Sequence, residues 1–485
     1  MKKLLIIALA LLCITSAAMA AETTYTGVCD PITVNTAGEH TVILDGVFID
    51  DLDTTAIGIK APATKLTIIL KNNTHSILYA APESAAIENN GQTIVIRCES
   101  ADNANHECDD NCGSLYAYGR SGGAGIGSGY CTDMTGSVII EGGNLEIAAS
   151  YNGAGIGSGE LAHMVGSVTI NGGNLTVNGG NSAAGIGGGA RGDLNGSVTV
   201  NGGNLYIKSG WDGAGIGGGA GSDLTGRVVI NGGNVRASAG HWEGEGGTYD
   251  NGSGIGGGAS GDLTGHVVIN GGKVTADSRA DVSAGIGGYN MAGNILIAGG
   301  EVIALGFDNC AAIGGVNSTS GKITVSGGKV YAVVSEGNRI VGIGSAWEDM
   351  SGTITITGGE LFACAPGFNA LGVGDGSEIT GKIIVDPAVG MIKSEIGDCD
   401  YVYADEVVHY QASNVAPLEG SPYAARKDIT HLLKNKSFAH FWVVIPEVTP
   451  DLPVTGDPVN VALFALLAGI SLMSAAVILL SKRRA

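Results

Sequence analysis

Basic residues are scarce in this chain. Only 25 Lys and Arg stand against 46 Asp and Glu in 485 residues, a formal charge of −21, and a protein that grips a nucleic-acid backbone needs the opposite balance. Nucleic acid is therefore excluded as an expected partner. Glycine reaches 83 residues yet lacks any strict three-residue period, which excludes a collagen-like helix. A hydrophobic content of 44% is too high for a disordered chain.

Glycine instead marks a longer repeat. Its plainest phrase is Asp212-Gly213-Ala214-Gly215-Ile216-Gly217-Gly218-Gly219. The isoleucine of that phrase recurs as Ile57, Ile87, Ile126, Ile156, Ile186, Ile216, Ile255, Ile286, Ile313 and Ile343, ending at Val373. Most steps are 30 residues, with steps of 39 before Ile126 and Ile255. Such a period describes a solenoid, in which each repeat buries its apolar face only by stacking on its neighbours.

Within one repeat, Val168 and Ile170, then Leu175 and Val177, alternate with polar residues on either side of Gly172-Gly173. Two half-buried strands and the ladder segment, joined at corners where glycine permits φ > 0, make one coil. The expected fold is all-β: a single-stranded right-handed parallel β-helix of about eleven coils of ~30 residues, with N- and C-terminal caps. At ~4.8 Å per coil the ladder spans about 50 Å. Asn171, Asn201, Asn231 and Asn270 precede successive Gly-Gly corners and predict a ladder of stacked amides.

The domain organisation follows from where the period holds. Residues 21–55 read as the N-terminal cap and 56–387 as the repeats, with insertions near 98–120 and 240–250. Asp386-Pro387 replaces the last Gly-Gly, and a proline cannot donate to the strand ladder, so regular stacking is expected to end there. Residues 388–445 read as the C-terminal cap, with a short helix over 427–438, and 446–451 as a brief linker.

The two ends carry processing signals. Lys2 and Lys3, an apolar run from Leu4 to Leu12 and Ala18-Met19-Ala20 lay out a secretory signal peptide over 1–20. At the other end Leu452-Pro453-Val454-Thr455-Gly456 precedes an apolar segment over 461–480 and a final Lys482-Arg483-Arg484, within 452–485. This arrangement resembles the cell-wall sorting signal of the LPXTG family of Gram-positive surface proteins. The apolar run is long enough for one membrane crossing, so membrane contact is expected only of the precursor. The resemblance implies that sortase, a transient partner, cuts between Thr455 and Gly456 and joins Thr455 covalently to peptidoglycan. The expected location is the extracellular face of a Gram-positive cell wall.

The repeats also resemble those of secreted bacterial β-helix proteins, some of them carbohydrate-binding, through phrases such as Gly-Ser-Val-Thr-Ile-Asn-Gly-Gly-Asn-Leu and Gly-Ala-Gly-Ile-Gly-Gly-Gly. That resemblance implies a glycan-binding, non-catalytic module, and carries no functional residue across.

A solenoid turns columns of sequence into stripes of surface. One column, Tyr151, Asn181 and Trp211, would space its two aromatics about 10 Å apart, which suits alternate units of an extended sugar chain. Trp242, Tyr249 and Asp250 join these glycan-binding candidates from the second insertion, which also holds His241. Another column places Asp193, Asp223 and Asp262 on consecutive coils, and either backbone amides in Asx turns or a bridging Ca²⁺ must relieve their repulsion. The first insertion carries Cys98, Cys108, Cys112 and Cys131, with His106 nearby, as candidates for disulfides or a zinc site. Cys310 and Cys364 read as buried thiols. Arg191-Gly192-Asp193 spells an adhesion tripeptide, but its Gly-Asp part is shared by the repeat.

These columns lead to a surface protein that binds an extended polysaccharide or host or plant glycan without catalysis. The alternatives are a polysaccharide lyase or glycoside hydrolase built on a β-helix, and an adhesin or structural spacer that binds protein. No Asp or Glu pair with a partner Arg or Lys stands out from the repeat, so no catalytic residue is assigned.

Overall fold

Runs of four or five alternating residues bury too little surface to hold alone, and the chain stacks them. The structure, a computed structural model, describes residues 21–385 apart from 102–107, 241–251, 279–281, 336, 366–367, 369 and 375–377, together with strands between 391 and 445. Two units are distinguished, Met1–Ile445 and Pro446–Ala485. The second, with the sorting motif and the apolar segment, lies outside the described residues, as do the leader and the linker.

Each coil carries three strands, a ladder strand followed by a first-run and a second-run strand, seen plainly as Ile186–Gly187, Ser197–Val200 and Asn204–Lys208. Every one pairs in parallel with its equivalent on the next coil: Ile186 with Ile216, Val198 with Val228, Leu205 with Val235. Described residues include no helix, and the parallel solenoid of about eleven coils agrees with the right-handed β-helix. Both 39-residue steps keep the register, since Ile87 pairs with Ile126 and Ile216 with Ile255.

The isoleucine ladder is fully buried from Ile57 to Ile343, and sealing each side chain from water contributes about 1.5–3 kcal/mol before entropy is counted. Its ends differ from the sequence expectation. Ile32 pairs with Ile57 and adds a rung inside the N-terminal cap. At the other end Ile343 pairs with Leu371, and Val373 lies opposite Ser345. The reason is the following glycine: Gly344 pairs with Gly372, and both hold positive φ.

A further buried column escaped the sequence reading. Met134, Met164, Leu194, Leu224, Leu263 and Met291 meet through successive single bridges and fill the third side of the core. The signal was there, an aliphatic residue one step after each Asp of the acidic column. The expected amide ladder also forms, with Nδ2 of Asn201, Asn231 and Asn270 each donating to Oδ1 of the preceding Asn at 2.7–2.8 Å.

At the N-terminal end Ala21–Val28 lies parallel to Gly38–Asp50. At the C-terminal end the last parallel first-run strand is Lys382–Val385, and the stack then changes sense. His440–Ile445 runs antiparallel to both Gly359–Cys364 and Met391–Glu395. Lys427–Asp428 does not open a helix: it pairs antiparallel with Ile384–Val385. An edge strand's unpaired amides are satisfied more readily by such pairing than by a new helix, and residues 429–438 lie outside the described set.

Candidate functional site

One concavity follows the rod axis on the outer face of the second-run strands. It is a shallow groove of about 560 Å³ crossing seven coils, from His75 at one end to Lys273 at the other. Six coil spacings give it a length of about 30 Å. The repeat builds its wall and its floor separately.

The wall is lined by Asn144, Asn174, Asn204 and Asn234, which follow four successive Gly-Gly corners and begin a second amide ladder. Asn174 Nδ2 donates to Asn144 Oδ1 at 2.8 Å, and Asn204 Nδ2 to Asn174 Oδ1 at 2.9 Å. Sequence reading singled out only the Asn before the corner, although the second column has the same 30-residue period. Along the floor, Glu146, Thr176, Tyr206 and Arg236 stand in register. Tyr206 is 41% exposed. The Arg236 guanidinium lies 5.6 Å from the centre of its ring and 3.8 Å from the buried Asp277 carboxylate, which holds the cation in place.

The same floor column continues beyond Glu146 to Tyr116, Ile77 and Phe48. Here the outer face becomes aromatic. Tyr116 and Tyr118 stack with centroids 6.1 Å apart, and Tyr79 meets both edge-on. Arg120 lies 5.0 Å from the centre of the Tyr79 ring and bonds Asp50 at 3.0 Å. Burial, with the nearby Tyr79 and Glu146, pushes the Tyr116 phenol above its ordinary value, so it remains a neutral hydroxyl. This patch was legible only as period-two tyrosines in two adjacent second-run strands.

The aromatic column predicted from sequence lies elsewhere. Tyr151, Asn181 and Trp211 are exposed at equivalent corners, and the Trp211 amide donates to the Asn181 carbonyl. They are not among the groove residues. Trp242, Tyr249 and Asp250, with His241, lie outside the described residues.

The acidic column stacks through hydrogen bonds between coils. Oδ1 of Asp193, Asp223 and Asp262 accepts the backbone N–H of Asp223, Asp262 and Asn290 at 2.8–2.9 Å. The amides that relieve the carboxylates come from the next coil, where an Asx turn would have used the same loop. Asp193 also meets His163, Oδ2 to Nδ1, at 3.3 Å, so the acidic end of the Arg191-Gly192-Asp193 tripeptide is engaged in the stack. Burial, then the charges of Asp262 and Asp193, raises the Asp223 carboxyl above its ordinary value.

That direction fixes a pH dependence. A carboxyl raised in the folded state takes up its proton more readily there than in the unfolded chain, so its contribution to stability grows as pH falls through the raised value. Above that value the charge is a net cost. Asp223→Asn keeps the acceptor oxygen and removes the charge, and Asn290 already occupies the equivalent place after Asp262. Because the carboxylate is half-exposed and screened by solvent, the substitution is expected to stabilise the protein at pH 7 by about 0.5 kcal/mol or less, with the gain fading below about pH 4. Urea melts at the two pH values check this, and a destabilised variant at pH 7 would contradict it.

The four-cysteine set divides. Cys98, Cys108 and Cys112 come together as thiols, with every pair of sulfurs within 4.8 Å. Cys131 stands apart, exposed, at a positive-φ corner after the ladder strand. Among the described residues no other three His, Cys, Asp or Glu approach as closely, the acidic column included. Burial pushes the Cys98 and Cys108 thiols up. His106 lies outside the described residues. Cys310 is a buried thiol as expected, whereas Cys364, equally buried, is disulfide-bonded.

Among known families, the beta helix repeat matches residues 138–160, 168–190, 198–220 and 267–290. Each matched stretch runs from a first-run strand through its corner and second-run strand past the next ladder isoleucine, one unit of the stack. Searches of curated proteins and of solved structures return no significant match.

Proposed function

We propose that this protein is exported, joined by sortase through Thr455 to the peptidoglycan of a Gram-positive cell wall, and binds an extended polysaccharide along the axial groove without breaking it. The observation that carries the binding reading is the groove itself, open along the rod and lined on four successive coils by one amide, Asn144, Asn174, Asn204 or Asn234, and one outward side chain. A β-1,4-linked pyranose advances by about 5 Å, close to the ~4.8 Å coil spacing. Successive sugars would therefore meet equivalent groups on successive coils. Amides bond hydroxyls, and the tyrosine rings offer apolar surface to sugar faces. The leader over 1–20 and the motif Leu452 to Gly456 support the location.

The hydrolase and lyase alternative is served less well by this face. Glycoside hydrolysis ordinarily uses two carboxyl groups within about 10 Å, and the groove is lined by one carboxylate, Glu146. Affinity electrophoresis of the purified protein through gels containing soluble neutral and acidic polysaccharides, with and without EDTA, tests the proposal. Retardation by at least one extended polymer is expected, with no release of reducing or unsaturated ends. Release of such ends would favour the enzyme, and free migration through every polymer would favour a spacer or protein-binding role. Retardation lost with EDTA would assign a cation, Ca²⁺ being the candidate, to the binding face.

A further inference from the structure

We propose that Cys98, Cys108 and Cys112 form a thiolate site for a cation of the zinc class. The proposal stands apart from the polysaccharide reading and shares with it only the bracing amides of Asn144 and Asn174. Cys98 Sγ lies 3.3 Å from Cys112 Sγ and 3.9 Å from Cys108 Sγ, and all three sulfurs fall within 4.8 Å of one another. Zinc–sulfur bonds of about 2.3 Å in a tetrahedron set sulfurs about 3.8 Å apart. The trio needs only small adjustments to reach that spacing. One disulfide could use two of these thiols and would strand the third.

The surroundings fit a bound thiolate. Cys98 and Cys112 are buried. The Gly143 amide donates to Cys108 Sγ at 2.9 Å, the kind of support that orients a ligating sulfur. The neighbouring corner residue, Gly142, forms the floor of the site. A Cβ there would stand 3.3 Å from Cys108 Sγ and 3.6 Å from Cys98 Sγ. Ser100 Oγ lies 3.6 Å from Cys98 Sγ and 3.7 Å from Cys112 Sγ. With thiolates as the protein ligands, zinc is favoured over calcium or magnesium, which take oxygen. The described residues supply three of four tetrahedral positions.

The fold holds these ligands in advance. Cys98 ends the strand Thr93–Cys98 and is fixed opposite Leu70 by the first-run ladder. The loop that brings the other two is tied to the repeat by amides. Asn144 Nδ2 donates to the carbonyls of Asp109 and Cys112 at 2.9 and 3.3 Å, and Asn174 Nδ2 donates to that of Cys108 at 3.1 Å. A site so braced loses little freedom when the ion enters.

The test is a titration of the reduced full chain with Co²⁺ and then Zn²⁺. One equivalent of Co²⁺ should raise a sulfur-to-cobalt charge-transfer band that Zn²⁺ abolishes. Cys108→Ser should weaken binding at least a hundredfold, while Cys131→Ser leaves it unchanged. Should Cys108→Ser fail to fold, the unaltered protein still decides. Zn²⁺ should shield the three thiols from alkylation in peptide maps, a chelator should expose them, and Cys131 should react throughout. The proposal is overturned if no charge-transfer band appears, if Cys131→Ser weakens binding as much as Cys108→Ser, or if protein purified without reductant holds a metal-free Cys98–Cys112 disulfide.

Discussion

Replacing Gly187 by alanine is expected to cost about 3–5 kcal/mol, because two independent penalties fall on one methyl group. Gly187 follows a ladder isoleucine and has a φ of 141°, a region that side chains resist. A Cβ there would also lie 2.0 Å from the Gly217 carbonyl oxygen of the next coil. Backbone stands at that point, so no side chain can swing away. The clash repeats at Gly127, Gly157, Gly217 and Gly256, where the distance to the next carbonyl is 1.7–2.0 Å. The Ile-Gly pair is thus a packing unit: isoleucine fills the interior while glycine lets the coils approach. Stability in a solenoid is carried by neighbouring interfaces, so a lesion at Gly187 should lower the urea midpoint and open the centre of the rod to proteolysis.

Gly221 supplies the control. Its φ of 67° is also positive, but a Cβ there meets nothing within 4 Å. The equivalent corners hold Cys131, Leu161, Arg191 and Ser260, all at φ between 53° and 61°. Gly221→Ser is therefore expected to cost no more than about 1–2 kcal/mol, the cost of a single left-handed residue. Equal losses in the two variants would mean that φ alone, rather than contact between coils, selects glycine in this chain.

Tyr206→Ala is expected to weaken polysaccharide binding at least tenfold without disturbing the fold. The side chain projects from the groove floor and carries none of the core. Its removal takes away apolar surface and one hydroxyl, and uncovers the Arg236 guanidinium that lies over the ring. Aromatic residues at the centre of a binding surface are commonly worth about 1–2 kcal/mol or more, and 1.4 kcal/mol is a factor of about ten. Trp211→Ala is the comparison, because Trp211 is similarly exposed at 43% but lies outside the groove residues. It should change affinity less than twofold. Isothermal titration of both variants checks this, and a larger loss for Trp211→Ala would move the binding face to the corner column of Tyr151, Asn181 and Trp211.

The fold was legible because its physics is periodic. Ile186 and Ile216, or Val198 and Val228, differ by one repeat and are paired by the stack itself, so counting residues amounts to reading register. The same logic exposed the Asn171 ladder and the spacing of Asp193, Asp223 and Asp262. It failed where the period is broken. Val373 took the place of Leu371 because a fixed step of 30 outweighed the local Ala370-Leu371-Gly372-Val373 pattern, and Lys427 was read as helical because antiparallel closure of a stack leaves no periodic trace. The groove was missed for a different reason. Tyr116, Glu146, Thr176, Tyr206 and Arg236 share a column yet share no chemistry, and only register across coils shows that they line one face. The cysteines divided because a corner separates Cys131 from the others, a distance that spacing along the chain does not encode.

The central claim is that the groove accepts a polymer lengthwise, and a length series tests it most directly. Affinity of the purified protein should be measured against oligosaccharides of increasing length from whichever polymer retards it. Affinity should climb with each added unit and level off at roughly six units, when a groove of about 30 Å is filled, and Tyr206→Ala should lower the plateau. An affinity independent of length from the disaccharide upward, and indifferent to Tyr206→Ala, would contradict the account.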